Sequence, residues 1–262
     1  MNRWRVLLWP GLATLVALAI LLSLGNWQLQ RRTEKEAILG ALERALTASP
    51  VPLLANHSDV RGIVVSPVGG GITEAGSVRE LSRVTVMGSF LPGRSVPVRA
   101  TLPATPGGLT SGIGFFWMAP LKVDGGDVIF INRGFVSSGG DWKAPAIPTP
   151  EGPQVITGLL RLPERGQMFT PADNPAKGEY FSRDPQVMAK AVGLDPANVG
   201  NFFIDAERLP GNVTPPVGID PREMIARIPN NHLQYAVTWF AFAFTLLGVF
   251  GVFARNCLND LD

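Results

Sequence analysis

Pro229-Asn230-Asn231-His232-Leu233-Gln234-Tyr235-Ala236-Val237-Thr238-Trp239-Phe240 decides the fold, because it runs on without a charge to Ala254. A polar, helix-capping tetrapeptide therefore stands at the mouth of an apolar helix. A second uncharged run, Val6 to Leu24, lies near the other end of the chain. At about 1.5 Å per residue, each run reaches across a hydrocarbon core of about 30 Å. Both read as transmembrane helices, 6–24 and 233–254. Two such spans are antiparallel and put both termini on one side of the membrane. The roughly 200 residues between them suit one extramembrane domain.

Arg3 and Arg5 before the first run also fit the start of a signal peptide. The run is long for that purpose, and its exit, Leu24-Gly25-Asn26-Trp27-Gln28-Leu29, lacks a small-x-small cleavage pattern, so it reads as an uncleaved anchor. Arg31, Arg32 and Lys35 follow the run. The positive-inside rule weakens over a long loop, and charge alone leaves the orientation open.

Acids and bases are interspersed in a chain of 262 residues with net charge +2, which gives no nucleic-acid footprint. The single cysteine, Cys257, excludes an intrachain disulfide and a Cys-rich metal site.

From Arg31 to Ala48 the apolar positions 37, 38, 41, 42, 45 and 46 fall on one face, which predicts a helix continuing or adjoining the first span. Residues 49–80, with Gly69-Gly70-Gly71 and several prolines, read as a loop or an insertion. Beyond Leu81 the period becomes strand-like: Arg83–Phe90, Gly114–Val123, Val128–Val136, Gln154–Leu162, Tyr180–Arg183 and Phe202–Ala206. One short helix begins at Asp184-Pro185, an N-cap with proline at the first position, and ends at Gly193. The fold expected is a membrane protein in which two antiparallel transmembrane helices flank one β-rich α+β domain, a mostly antiparallel sheet or partly closed barrel. Its parts are an anchor at 1–30, the domain at 31–229, and the second helix with a short tail at 230–262.

Nucleophile-elbow, zinc-protease, phosphate-loop and Cys-x-x-Cys motifs are all absent from the sequence. Ile131-Asn132-Arg133-Gly134-Phe135-Val136 is the most compact polar motif of the domain. Arg133 has a functional reading, gripping a carboxylate or phosphate, and a structural one, closing a turn onto a carbonyl or an acid such as Asp205. The structural reading is favoured, since the following glycine speaks of backbone geometry.

The membrane end carries more chemistry. Antiparallel spans bring Trp27 and Gln28 to the depth of His232, Tyr235 and Trp239, and helical spacing puts 232, 235, 236, 239 and 243 on one face. On spacing alone this is an aromatic belt with a helix cap. The sharper reading is a site for a flat apolar cofactor such as haem, with the His232 imidazole on iron and Arg31, Arg32 and Arg227 near the propionates.

Three motifs then carry a family resemblance: Leu24-Gly25-Asn26-Trp27-Gln28-x-x-Arg31, Asn132-Arg133-Gly134-Phe135-Val136, and Asn230-Asn231-His232-Leu233-Gln234-Tyr235-Ala236-x-Thr238-Trp239-Phe240. With weaker support from Gly158-Leu159-Leu160-Arg161-x-Pro163-Glu164 and Phe203-Ile204-Asp205, the chain resembles the Surfeit-locus (Surf-type) cytochrome c oxidase assembly factors nearly end to end. Glu34-Lys35 stands where the family often has an aromatic-Lys pair, and residues 56–80 match nothing in the family pattern.

The resemblance implies a non-enzymatic, multi-pass protein of the cell inner membrane, with its large domain in the periplasm and both termini in the cytoplasm. It further implies a role in maturing oxidase subunit I through transient binding of haem a, with His232 as iron ligand; the spacing adds Tyr235, Trp239, Trp27, Gln28 and Arg31 around the cofactor. Implied partners are subunit I, other assembly factors or haem a synthase, and membrane lipid. The rival reading is a scaffold that holds nascent subunit I without haem, packing through Gly248 and Gly251. Copper delivery would call for soft Cys and Met ligands, and one Cys on the far side from the domain argues against it. A periplasmic enzyme lacks a nucleophile or metal signature.

Overall fold

The computed structural model of the chain describes residues 4–54, 60, 63–66, 78–105, 108–166, 170–209 and 214–259. His57 and the glycine run at 69–71 lie outside them. In chain order the elements are α1 (Trp4–Thr47), β1 (Val51–Pro52), β2 (Val65–Ser66), β3 (Val78–Arg79), β4 (Arg83–Phe90), β5 (Val96–Leu102), β6 (Gly112–Val123) and β7 (Val128–Ser137). There follow β8 (Pro153–Arg161), α2 (Pro185–Ala191), β9 (Val199–Ala206), α3 (Pro221–Arg227) and α4 (His232–Asn259). They form two compact units, Met1–Ile38 with Pro229–Asp262, and Leu39–Ile228.

In the first unit, α1 and α4 are both long and apolar enough to cross a membrane. The first apolar run and the amphipathic stretch after it are one unbroken helix of 44 residues. Ion pairs Arg31–Glu34 and Arg32–Glu36, each 2.7 Å and one turn apart, support it where it turns polar. The helices meet along small residues. Ala236 and Ala243 are buried, and a Cβ added to Gly25 would lie 2.6 Å from the Phe240 ring. Large apolar side chains point outward instead, with Trp9 79% and Phe244 80% exposed. Such a surface is tolerable only against hydrocarbon, so the pair associates with a membrane.

The second unit is a closed five-stranded barrel with extra strands. The circuit runs β4–β8–β9–β7–β6 and returns to β4 through Gly88–Phe90 paired with Leu121–Val123. All its pairings are antiparallel except β7 with β9. Closure needs a close backbone approach: a Cβ on Gly88 would stand 2.4 Å from the Lys122 carbonyl oxygen. Val84, Val86, Leu121, Ile129, Ile131 and Ile204 alternate into the core. Val128, Phe130 and Phe203 face the other way, against Met188 and Ala189 of α2. β7 is thus buried on both faces, which explains its unbroken apolar run Val128-Ile129-Phe130-Ile131.

The expected sheet is therefore a fully closed barrel. Four of the expected strands begin or end within three residues of the observed ones, and Arg83–Phe90 coincides with β4. Tyr180–Arg183 is not a strand. Only isolated bridges, Tyr180 to Val98 and Arg183 to Glu164, form there. β5 is an addition to the expected strands: Val96, Val98, Ala100 and Leu102 alternate with Pro97, Arg99 and Thr101, and the proline within it is tolerated since this strand lies at the end of the sheet order. Short strands also occur within the stretch read as a loop, and α3 is unheralded. The expected helix is α2, with the Asp184 side chain accepting from the Gln186 N–H at 2.9 Å and Gly193 just beyond it at φ +67°.

Gly88→Ala should force β4 and β6 apart and destabilise the chain by on the order of 2 kcal/mol. Thermal unfolding in detergent should then show a midpoint lower by about 4–8 °C for a domain of this size.

Candidate functional site

α4 starts at His232, with the Tyr235 N–H donating to the Asn231 carbonyl. On α1, Gln28 lies one turn beyond Gly25, the position where Phe240 packs most closely. This close approach lets two polar side chains meet: His232 Nδ1 lies 2.8 Å from Gln28 Oε1. Both residues are half-buried. Asn230 Oδ1, two residues before the histidine, is a buried oxygen without a hydrogen-bond partner among the described residues.

The remaining candidate residues are placed differently. The packed face of α4 carries 232, 236, 239 and 243, so Trp239 shares it and sits edge-on to Phe242 at 6.2 Å. Tyr235 does not share it, contrary to the expected face. Three residues advance a helix by about 300°, which swings Tyr235 outside a seam this narrow and leaves it 55% exposed. Trp27 is also exposed, beneath the Arg31 guanidinium at 5.8 Å. Arg31 and Arg32 are engaged with Glu34 and Glu36, while Arg227 bonds Thr110 and Glu223 within the domain. The structure thus joins Gln28 and His232 and leaves the aromatic residues as exposed apolar rings or seam packing.

Among the described residues no group of three or more His, Cys, Asp or Glu gathers to hold a metal ion. A metal that brings its own macrocycle needs only an axial donor. His232 can supply one nitrogen, since Nε2 has no hydrogen-bond partner among the described residues. The donor chemistry fits haem.

The domain holds a second concentration of polar chemistry that sequence reading missed as a unit. Asp205, fully buried, accepts from Asn132 Nδ2 at 2.7 Å, Arg161 Nη1 at 3.1 Å and Arg183 Nη1 at 3.2 Å. Glu164 takes both arginines in turn, at 2.7 Å from Arg183 and 2.6 Å from Arg161. The Arg183 guanidinium lies over the rings of Phe116 and Phe203, at 4.4 and 5.0 Å. Burial pushes Glu164 upward, but Arg183 and Arg161 outweigh it and hold the carboxyl below its ordinary range. Burial acts on Arg161 in the opposite sense, and Asp205, Glu164 and Glu80 overcome it.

Arg133 does not pair with Asp205. Asn132 is the residue in register with Asp205, and side chains alternate along a strand, so Arg133 points to the other face. There it donates to the Pro148 carbonyl at 2.9 Å and lies over Phe90, with its pKa lowered by burial. The structural reading of this arginine holds with a different partner. Gly134, at φ +128°, passes so close to Val217 that no Cβ fits.

Beside the charged cluster lies a cavity of about 280 Å³ walled by Leu102, Phe116, Phe135, Val217, Met224 and Ile228. Its walls come from segments far apart in sequence, including the unheralded α3. Only the arginine and aspartate motifs hinted at it.

Comparison with known proteins gives a consistent result. The family described as the SURF1 family matches residues 15–244. Surfeit locus protein 1 of Homo sapiens is 31% identical over 253 residues, covering 91% of this chain and 72% of that protein. Surfeit locus protein 1 of Rattus norvegicus is 30% identical, covering 83% and 66%. A SURF1-like protein of Rickettsia bellii is 24% identical, covering 94% and 90%. The chain belongs to the SURF1 family.

Asp205→Asn should leave two buried guanidinium groups short of charge and destabilise the domain by about 3–5 kcal/mol, read as a drop in unfolding midpoint. Glu164 titrates below its unfolded value near 4.3, so its pairing is fully present at neutral pH. That contribution is lost as pH falls through the lower folded value. The midpoint difference between wild type and Glu164→Gln should therefore shrink on acidification below about pH 4.

Proposed function

We propose that this SURF1-family chain is a two-span inner-membrane assembly factor for haem-copper cytochrome c oxidase. In this reading it holds haem a transiently for insertion into subunit I, or stabilises the haem-receiving state of that subunit. The domain stands in the periplasm and both termini in the cytoplasm. Subunit I is the principal partner, with other assembly factors or haem a synthase alongside.

The observation that carries the reading is the Gln28–His232 contact. An imidazole is fixed at the start of an apolar helix, bonded through one ring nitrogen and, among the described residues, free at the other. Bound haem a would supply an iron centre that accepts one nitrogen donor from the protein. His232 provides that donor. Trp27 and Tyr235, exposed on the helix pair, offer apolar ring surface to a flat ligand. Arg31 can exchange its exposed partner Glu34 for an anionic group, since a surface ion pair of this kind contributes little. A single protein ligand favours release, as a carrier requires. No covalent step is assigned to any residue.

A scaffold reading also has an observation in its favour. Gly248 and Gly251 have open space where a Cβ would be, so that part of α4 is free for close approach by a client helix. Haem in the protein as isolated from cells separates the carrier from the scaffold.

Titration with haem a should give saturable binding and a histidine-ligated spectrum, and His232→Ala should lose both. An unchanged spectrum and affinity would remove His232 from iron. For orientation, Cys257 should resist a membrane-impermeant maleimide in intact spheroplasts, whereas a cysteine introduced at exposed Lys177 should react. The reverse pattern contradicts the proposed topology.

A further inference from the structure

We propose that Gln28 is a positioning residue that sets the tautomer of His232, keeping the proton on Nδ1 and the lone pair on Nε2. The proposal rests on the haem reading above and deepens it, since it names how the ligating nitrogen is made available.

Gln28 Oε1 faces Nδ1 at 2.8 Å. A carbonyl oxygen only accepts, so the proton between the two atoms belongs to the imidazole. A neutral imidazole has one N–H, and with that proton on Nδ1, Nε2 carries the lone pair. Nε2 has no competing hydrogen bond among the described residues. Free imidazole side chains in water favour the other tautomer, with the proton on Nε2, which blocks ligation there. The pair therefore needs a group that reverses the preference.

Gln28 is suited to this on three grounds. It is neutral, so at neutral pH it does not favour the charged ring as a carboxylate would, a difference that mildly alkaline pH removes. It sits at the edge of an apolar helix pair, where a hydrogen bond competes with little water and is correspondingly stronger. Its position is fixed by close packing one turn away, where Gly25 admits the Phe240 ring. Metal-ligating histidines generally donate their second N–H to a fixed acceptor, and loss of that acceptor typically lowers affinity 10- to 100-fold.

The test uses the full chain in detergent with 15N-labelled histidine. His57→Ala leaves His232 as the sole imidazole, since the chain has two histidines. At mildly alkaline pH the expected spectrum has a pyrrole-type shift at Nδ1 and a pyridine-type shift at Nε2. Gln28→Leu should move the proton largely to Nε2, while Gln28→Glu, which keeps an acceptor oxygen, should restore it to Nδ1. In parallel, Gln28→Leu should weaken haem a binding about 10-fold or more, with Gln28→Glu largely retaining it.

A proton on Nε2 in the unsubstituted pair, or the same tautomer with and without Gln28, overturns the proposal. A tautomer that shifts while haem affinity stays constant overturns the positioning role. If the unsubstituted chain shows the expected tautomer but binds no haem a, the tautomer assignment stands and the carrier function falls.

Discussion

Two helices in hydrocarbon are not drawn together by the hydrophobic effect, because lipid tails are as apolar as their side chains. Association then depends on close packing and on the few polar contacts that can form. α1 and α4 meet this constraint with Gly25 beneath Phe240, with buried Ala236 and Ala243, and with the Gln28–His232 hydrogen bond at one end of the seam. The same residues that let the helices touch also bring the imidazole and the amide within reach. Packing and site chemistry are one arrangement here.

The domain solves a different problem. A five-stranded barrel has a small interior, filled by aliphatic residues from every strand of the circuit. Its charged groups gather outside that core around Asp205, which ties Asn132 of β7, Arg161 of β8 and the Arg183 segment to β9. Removing one member leaves the others buried and unbalanced, so this cluster fixes the geometry of the segments it joins. Its arginines are largely buried with their carboxylates, which distinguishes them from the exposed Arg31–Glu34 pair near Trp27.

Much of this architecture is legible in the residues. Uncharged runs and Pro/Gly punctuation reveal both membrane helices and most barrel strands, because burial imposes continuous apolarity or alternation. β5 escapes notice because Pro97 stands within an otherwise alternating run, and Tyr180–Arg183 imitates a strand while making only isolated bridges. Closure of the barrel is a contact between β4 and β6, and Gly88 alone among its residues carries a trace of it. Of the site, Gln28 and His232 could be placed at one depth from antiparallel geometry. That they touch, and that Tyr235 turns away, depends on a seam set by side-chain size. The partner of Asp205 follows from strand register, which sequence does not state.

The central proposal is delivery of haem a to subunit I. The most direct measurement is the haem a and copper content of cytochrome c oxidase assembled in cells lacking this chain. Subunit I depleted of haem a, with the copper centres outside subunit I retained, is the predicted result. Full haem a content with poor association of the subunits would contradict it.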